Sequence, residues 1–128
     1  MINDPRIKAR IASGQNLIWH QRCRGGGWNY GARVAREVSL PPYPETTALA
    51  LIGLVGRKGL HEEIDLARAI GASDASPLSR AWLSVGLRLH GQDAPDAEPA
   101  PIQDVMVCAI SELGSPNGNW RILAEQKA

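Results

Sequence analysis

The sequence predicts an all-α fold, and three observations carry the prediction. Apolar residues recur at three- and four-residue spacing in four stretches, and a fifth is apolar all round. Start and stop signals bracket these stretches: Asp4-Pro5 and Ser76-Pro77 open two of them, and Gly71, Gly91 and Gly114 close others. No segment of useful length alternates with the two-residue period of a strand. The 128 residues suit one domain.

In chain order, Asp4 caps a first helix with Pro5 at its first position. Ile7, Ile11 and Ile18 fall near one face. Gly14 weakens the middle by about 1 kcal/mol relative to Ala and either allows close packing or splits the helix. The helix is expected to end between His20 and Arg24, with Arg22 and Arg24 suiting the negative end of its dipole. A loop then runs from Gly25 to Pro44. It opens on Gly25-Gly26-Gly27-Trp28-Asn29-Tyr30-Gly31, has room for a short turn at Val34 to Val38, and ends in the stiff run Pro41-Pro42-Tyr43-Pro44. Loops of that length are uncommon unless packed or functional, and large aromatics in a glycine-rich loop are expected to dock onto a helix.

The second helix starts near Glu45 or Thr46, with a threonine near its cap. From Ala48 to Val55 it carries no charge, so it reads as an inner helix buried on several sides. The third, about Leu60 to Ile70, is an outer helix: Leu60, Ile64, Ala67 and Ile70 form its apolar stripe. His61, Glu62, Glu63, Asp65 and Arg68 face elsewhere. The fourth opens at Ser76-Pro77 with the stripe Leu78, Trp82, Val85 and Leu89, widened by Leu83, Gly86 and Leu87. Arg80, Ser84 and Arg88 make its polar column. A surface loop, Gln92 to Pro101, leads to the fifth helix, about Ile102 to Leu113, with apolar residues at 102, 105, 106, 109, 110 and 113. A last helical stretch with Trp120, Ile122 and Leu123 is expected after Asn119.

Composition narrows the functional classes. Apolar content of 44% and charged content of 21% are those of an ordinary globular chain. A net charge of +1 supplies no overall field for nucleic acid or an anionic membrane, so neither is an expected partner. The longest apolar run is too short to cross a bilayer. Cys23 and Cys108 are no disulfide framework, and the first residues hold no hydrophobic signal core, so the expected location is cytoplasmic.

Gln21, then Gly26-Gly27-Trp28 after a four-residue gap, with Leu17 upstream, resembles the QW motif of the prenyltransferase/squalene cyclase repeat family. Asn16 departs from the motif, which has an aromatic there. Gly26 to Gly31, followed by Tyr43 to Leu51, looks like bacterial members of the same superfamily. Ser79 to Leu83 and Leu89 to Gly91 look like their second helix type. The resemblance implies antiparallel helical hairpins of the α/α-toroid type. Five or six helices are too few to close such a barrel, so it would be partial or open. It also implies that Gln21, Gly26, Gly27 and Trp28 are structural clamps. The exposed edge left by an open barrel implies self-association or a missing remainder of the barrel.

For chemistry, the resemblance implies an isoprenoid or other apolar ligand, with Trp28, Tyr30, Tyr43 and Trp82 as candidate pocket residues whose π faces would stabilise a cation. The family's Asp-x-Asp-Asp and Asp-Asp-x-x-Asp strings are absent, so catalytic residues are not assignable. The acidic cluster Glu62-Glu63-Ile64-Asp65 reads as a solvated helix start. His20-x-x-Cys23 offers two zinc-ligand types one turn apart, short of the three or four that zinc needs, and neither His90 nor Cys108 can be placed beside them; no metal or cofactor is expected. Arg22 and Arg24 flank Cys23 and would favour a lowered pKa and a reactive thiol, but the expected reading is a bystander at a helix end. The competing expectation is a non-catalytic interaction or scaffold module.

Overall fold

A computed structural model describes residues 3–31, 34–35, 38–73, 75–94 and 104–118. Five helices make up most of it: α1 (Pro5–His20), α2 (Pro44–Gly53), α3 (His61–Ala72), α4 (Pro77–Leu89) and α5 (Val105–Leu113). Between α1 and α2, β1 (Val34–Ala35) and β2 (Val38–Ser39) form a small antiparallel ladder, Val34 opposite Ser39 and Ala35 opposite Val38. The sequence reading expected a turn there. The structure is mostly helical, as expected, with this one addition.

Two helix starts are built as the sequence predicts. Asp4 accepts from the Arg6 N–H, and Ser76 accepts from the Ser79 N–H, each with Pro at the next position. The Arg6 guanidinium beside Asp4 also holds that carboxyl below its ordinary value. α1 is unbroken, and nothing approaches Gly14, so that glycine neither splits the helix nor serves packing. α2 differs from expectation. Its cap is Tyr43, without a side-chain cap bond. Thr46 and Thr47, where a threonine near the cap was expected, point instead at the glycine-rich loop. α3 continues through Gly71, which lets the Leu83 side chain of α4 come close: a Cβ at Gly71 would lie 3.3 Å from Leu83 Cδ1.

α4 is the centre of the fold. It packs on α2, α3 and α5, and it supplies residues to both core clusters. The larger cluster joins Trp28, Ala48, Leu51, Leu54, Leu60, Ala67, Leu83 and Leu87. The smaller joins Ala81, Val85, Leu89 and Ile110. Leu51, Leu54 and Leu87 are among the largest fully buried side chains, each worth about 1.5–3 kcal/mol of apolar transfer. α2 and α4 meet at small residues. A Cβ on Gly86 would lie 3.2 Å from Ala48 O, and His90 Nε2 donates to Leu51 O at 2.7 Å. These contacts advance along both helices together, so α2 and α4 run side by side in the same sense.

Three expectations about faces are refined or corrected. α2 packs on α1, α3 and α4, as a helix buried on several sides should, but it is not covered all round, because Leu49 is exposed. The polar column of α4 is largely interior: Ser84 is buried, and half-buried Arg88 donates to Gly114 O and Ala94 O. On α5 only Ile110 of the predicted stripe is buried, because α4 covers a single side of that helix. Ile102 of that stripe, most of the loop to Pro101, and the helix expected after Asn119 lie outside the described residues.

Candidate functional site

The glycine-rich run is not an open loop. Cys23 N–H donates to Gly27 O at 2.9 Å, and Gly26 N–H donates to Cys23 O at 3.1 Å, closing a tight turn. Gly26 and Gly27 hold φ values of 88° and 67°, which only glycine adopts without strain. A Cβ on Gly27 would sit 2.6 Å from Pro42 Cβ, 3.0 Å from Leu66 Cδ2 and 3.1 Å from Thr47 Oγ1. The turn is thereby pressed between the Pro41–Pro42 strap, α2 and α3.

Trp28 is the fixed point that follows. Its indole N–H donates to Ile18 O at 2.7 Å, fastening the loop to the C-terminal end of α1. Its main-chain N–H donates to Thr47 Oγ1 at 3.1 Å. Its carbonyl accepts from the Tyr43 N–H at 2.8 Å and from the Thr46 hydroxyl at 2.7 Å. The ring is buried in the larger core cluster. Gln21, expected as Trp28's partner in the clamp, is exposed; its N–H closes α1 by donating to Leu17 O and Ile18 O. Arg22, one residue on, makes the long-range contact instead.

Of the four expected pocket aromatics, two are interior and two are at the surface. Trp28 is buried, and Trp82 is half-buried against both clusters. Tyr30 and Tyr43 are exposed and meet each other, their ring centroids 5.3 Å apart and tilted by 41°. The Tyr pair is thus one feature, and the two indoles belong to the core.

A second cluster was not foreseen. Arg22 Nη1 donates to Glu63 Oε1 at 2.5 Å, and Glu63 is only 2% exposed. Glu63 was expected on a solvated face. Arg22, reaching across from the end of α1, covers it and neutralises it. The Arg22 guanidinium also lies over the Trp19 ring, 3.5 Å from its centroid, while that of Arg57 lies 4.7 Å from the same centroid. Arg57 Nη1 donates to Asn16 Oδ1 at 3.0 Å. Gln15 Nε2 donates to Gly53 O and Val55 O, holding α1 against the end of α2. The sequence did carry a partial signal here: Trp19 and Arg22 stand at i, i+3 on a helix end, where side chains are neighbours. Nothing local points to Arg57 or to Glu63.

At Cys23 the direction is opposite to the one that the flanking arginines favour. Burial pushes its thiol above the ordinary value, with a hydrogen bond from the Asn29 main chain acting in the opposite sense. Loss of solvent sets the direction: Cys23 is buried, as suits a bystander thiol, and Arg22 is engaged with Glu63. His20 Nδ1 donates to Asn16 O at 2.6 Å. Among the described residues, no three His, Cys, Asp or Glu side chains gather as metal ligands, and no helix is long and apolar enough to cross a membrane. No protein-family model matches the chain, and no match is found among curated proteins or solved structures.

Proposed function

We propose that this chain is a helical-hairpin module of the α/α-toroid type, as a partial or open barrel, and that it works by association rather than by catalysis. One observation carries the associative reading. α5 presents Val105 at 84% and Met106 at 58% exposure, two large apolar residues that the fold leaves uncovered. The partner proposed for that face is a second copy of the chain. The hairpin reading is supported by the parallel course of α2 and α4 with α3 between them in sequence, the order of inner and outer helices in such repeats. The associative reading is further supported by the interior. Glu63 and Thr47 are buried, and each is engaged in holding a loop to a helix. The α2–α4 seam is closed at Ala48 and Gly86, where an apolar ligand would otherwise lie.

Sedimentation velocity over about a hundredfold range of concentration tests this reading. The expected result is a concentration-dependent dimer that Met106→Glu abolishes without lowering the melting temperature. A parallel titration follows tryptophan fluorescence and the melt with a geranylgeranyl diphosphate analogue. A saturable signal with a rising melting temperature, in a chain that stays monomeric, would overturn the associative reading in favour of an isoprenoid-binding one.

A further inference from the structure

We propose that the corner formed by Trp19 and Arg57 is a recognition site for a carboxylate on an acidic segment of a partner protein. This inference does not depend on α5. It starts from a difference among the arginines. Arg6 meets Asp4, Arg22 meets Glu63 and Arg68 meets Asp65. Arg57 is held just as firmly, against the indole and by Asn16 Oδ1, but among the described residues no carboxylate pairs with it. A stacked guanidinium has already given up its rotamer freedom, so it binds an incoming oxyanion at a reduced entropic cost. Its fork matches the two oxygens of a carboxylate, and only one of its donors is engaged by Asn16.

The surroundings make the corner more attractive to an anion. The two guanidinium carbons that share Trp19 lie within about 8 Å of each other, and only Arg22 is neutralised. Lys58 follows Arg57 and is exposed. Gly56 and Gly59, at φ 88° and 79°, bracket the two basic residues in a tight loop. The chain is also electrically lopsided. Up to Pro44 it has seven Lys and Arg against two acids, and beyond Pro44 seven against eleven. Among the described residues, α1 and the turn after it, from Asp4 to Arg24, carry five Lys and Arg against one acid, a local excess that favours an acidic partner. The charge is modest: Arg22 and Arg57 on the indole stand with Glu63, a net of one positive charge. That balance suits a monoanionic carboxylate better than a phosphoryl dianion. Tryptophan and arginine are both enriched among the residues that carry most of the binding energy at protein interfaces.

The test is fluorescence anisotropy of a fluorescein-labelled hexaglutamate peptide at low ionic strength, with the full chain and three variants. Arg57→Gln is expected to weaken binding about tenfold or more. Arg6→Gln removes the same charge from an exposed arginine and is expected to change it by less than about twofold. Arg57→Lys keeps the charge and the fold but lacks the fork, and is expected to fall between them. No binding by the wild-type chain, equal losses in Arg57→Gln and Arg6→Gln, or full binding by Arg57→Lys would each overturn the proposal. So would a phosphoserine peptide of the same length binding about tenfold tighter than hexaglutamate, since the corner would then be a phosphoryl site.

Discussion

Thr46 and Thr47 both touch the main chain of Trp28, and replacing each by valine separates two kinds of contact. Thr47 is fully buried, and its Oγ1 is the acceptor for the Trp28 N–H at 3.1 Å. Valine keeps the shape and removes the acceptor. The N–H is then stranded in the interior, at a cost of about 1–3 kcal/mol, offset in part by the extra methyl at roughly 0.8 kcal/mol. A net loss of up to about 2 kcal/mol follows, a factor of up to roughly 30 in the folding equilibrium. Thr46 is different. Its hydroxyl only donates, to Trp28 O, which still accepts from the Tyr43 N–H at 2.8 Å and from the Thr47 hydroxyl at 3.3 Å after the Thr46 hydroxyl is gone. Thr46 is also only half-buried, so Thr46→Val is expected to cost less than about 0.5–1 kcal/mol. Urea melts of the two variants, compared at a common m-value, measure the difference. If Thr46→Val proves as damaging as Thr47→Val, the account of Trp28 as a main-chain anchor is wrong.

The glycine turn gives a matched pair: Gly27→Ala places a Cβ 2.6 Å from Pro42 at φ 67°, whereas nothing lies within 4 Å of a Cβ on Gly25. Gly27→Ala should lower the urea midpoint by the equivalent of about 1–3 kcal/mol, while Gly25→Ala should leave it within about 0.5 kcal/mol. The Arg22–Glu63 pair is asymmetric, because Glu63 is buried while the Arg22 side chain is 32% exposed. Arg22→Gln strands a buried carboxylate and should cost about 3–5 kcal/mol, whereas Glu63→Gln frees an arginine that can reach water and should cost less; equal losses in chemical melts would mean that Glu63 is not enclosed. The thiols should react in order, with Cys108 labelled by a disulfide reagent at neutral pH before Cys23, whose burial raises its pKa and reduces its thiolate fraction. Cys23 labelling at the rate of an unfolded cysteine would contradict its placement.

Much of the helix pattern was legible because its causes are local. Asp4-Pro5 and Ser76-Pro77 mark their helices with groups that sit one or two residues from the N–H they cap. What was not legible depends on partners far along the chain. A threonine near the cap was expected since threonine caps helices, but Pro44 already fixes the helix start, and Thr46 and Thr47 bond across to Trp28 instead. Glu63 looked solvated because acids favour a first turn. Its burial is set by Arg22, 41 residues earlier. The aromatic candidates divide into two pairs for a related reason. Composition brought four rings into consideration, but only the path of the loop decides that Tyr30 meets Tyr43 at the surface while Trp28 turns inward. Trp19, with its two guanidiniums, was passed over entirely.

The choice of central helix shows the same limit from the side of packing. α2 is apolar all round and read as an inner helix, which its packing on α1, α3 and α4 bears out, but α4 supplies buried residues to both clusters. The difference lies in residues to which a hydrophobic pattern is nearly blind. Ser79, Ala81, Ser84 and Gly86 are all buried on α4, and each is small. Counted as polar or neutral, they narrow the predicted stripe to one face. Counted as volume, they let neighbouring helices approach closely, as the 3.2 Å gap between a Gly86 Cβ and Ala48 O demonstrates. A helix with bulky apolar residues on every side must find neighbours thick enough to cover them, and α2 leaves Leu49 outside. A helix with small residues on several sides can be surrounded in a chain of this size. Centrality here follows from side-chain volume at the seams, which hydrophobicity alone does not register.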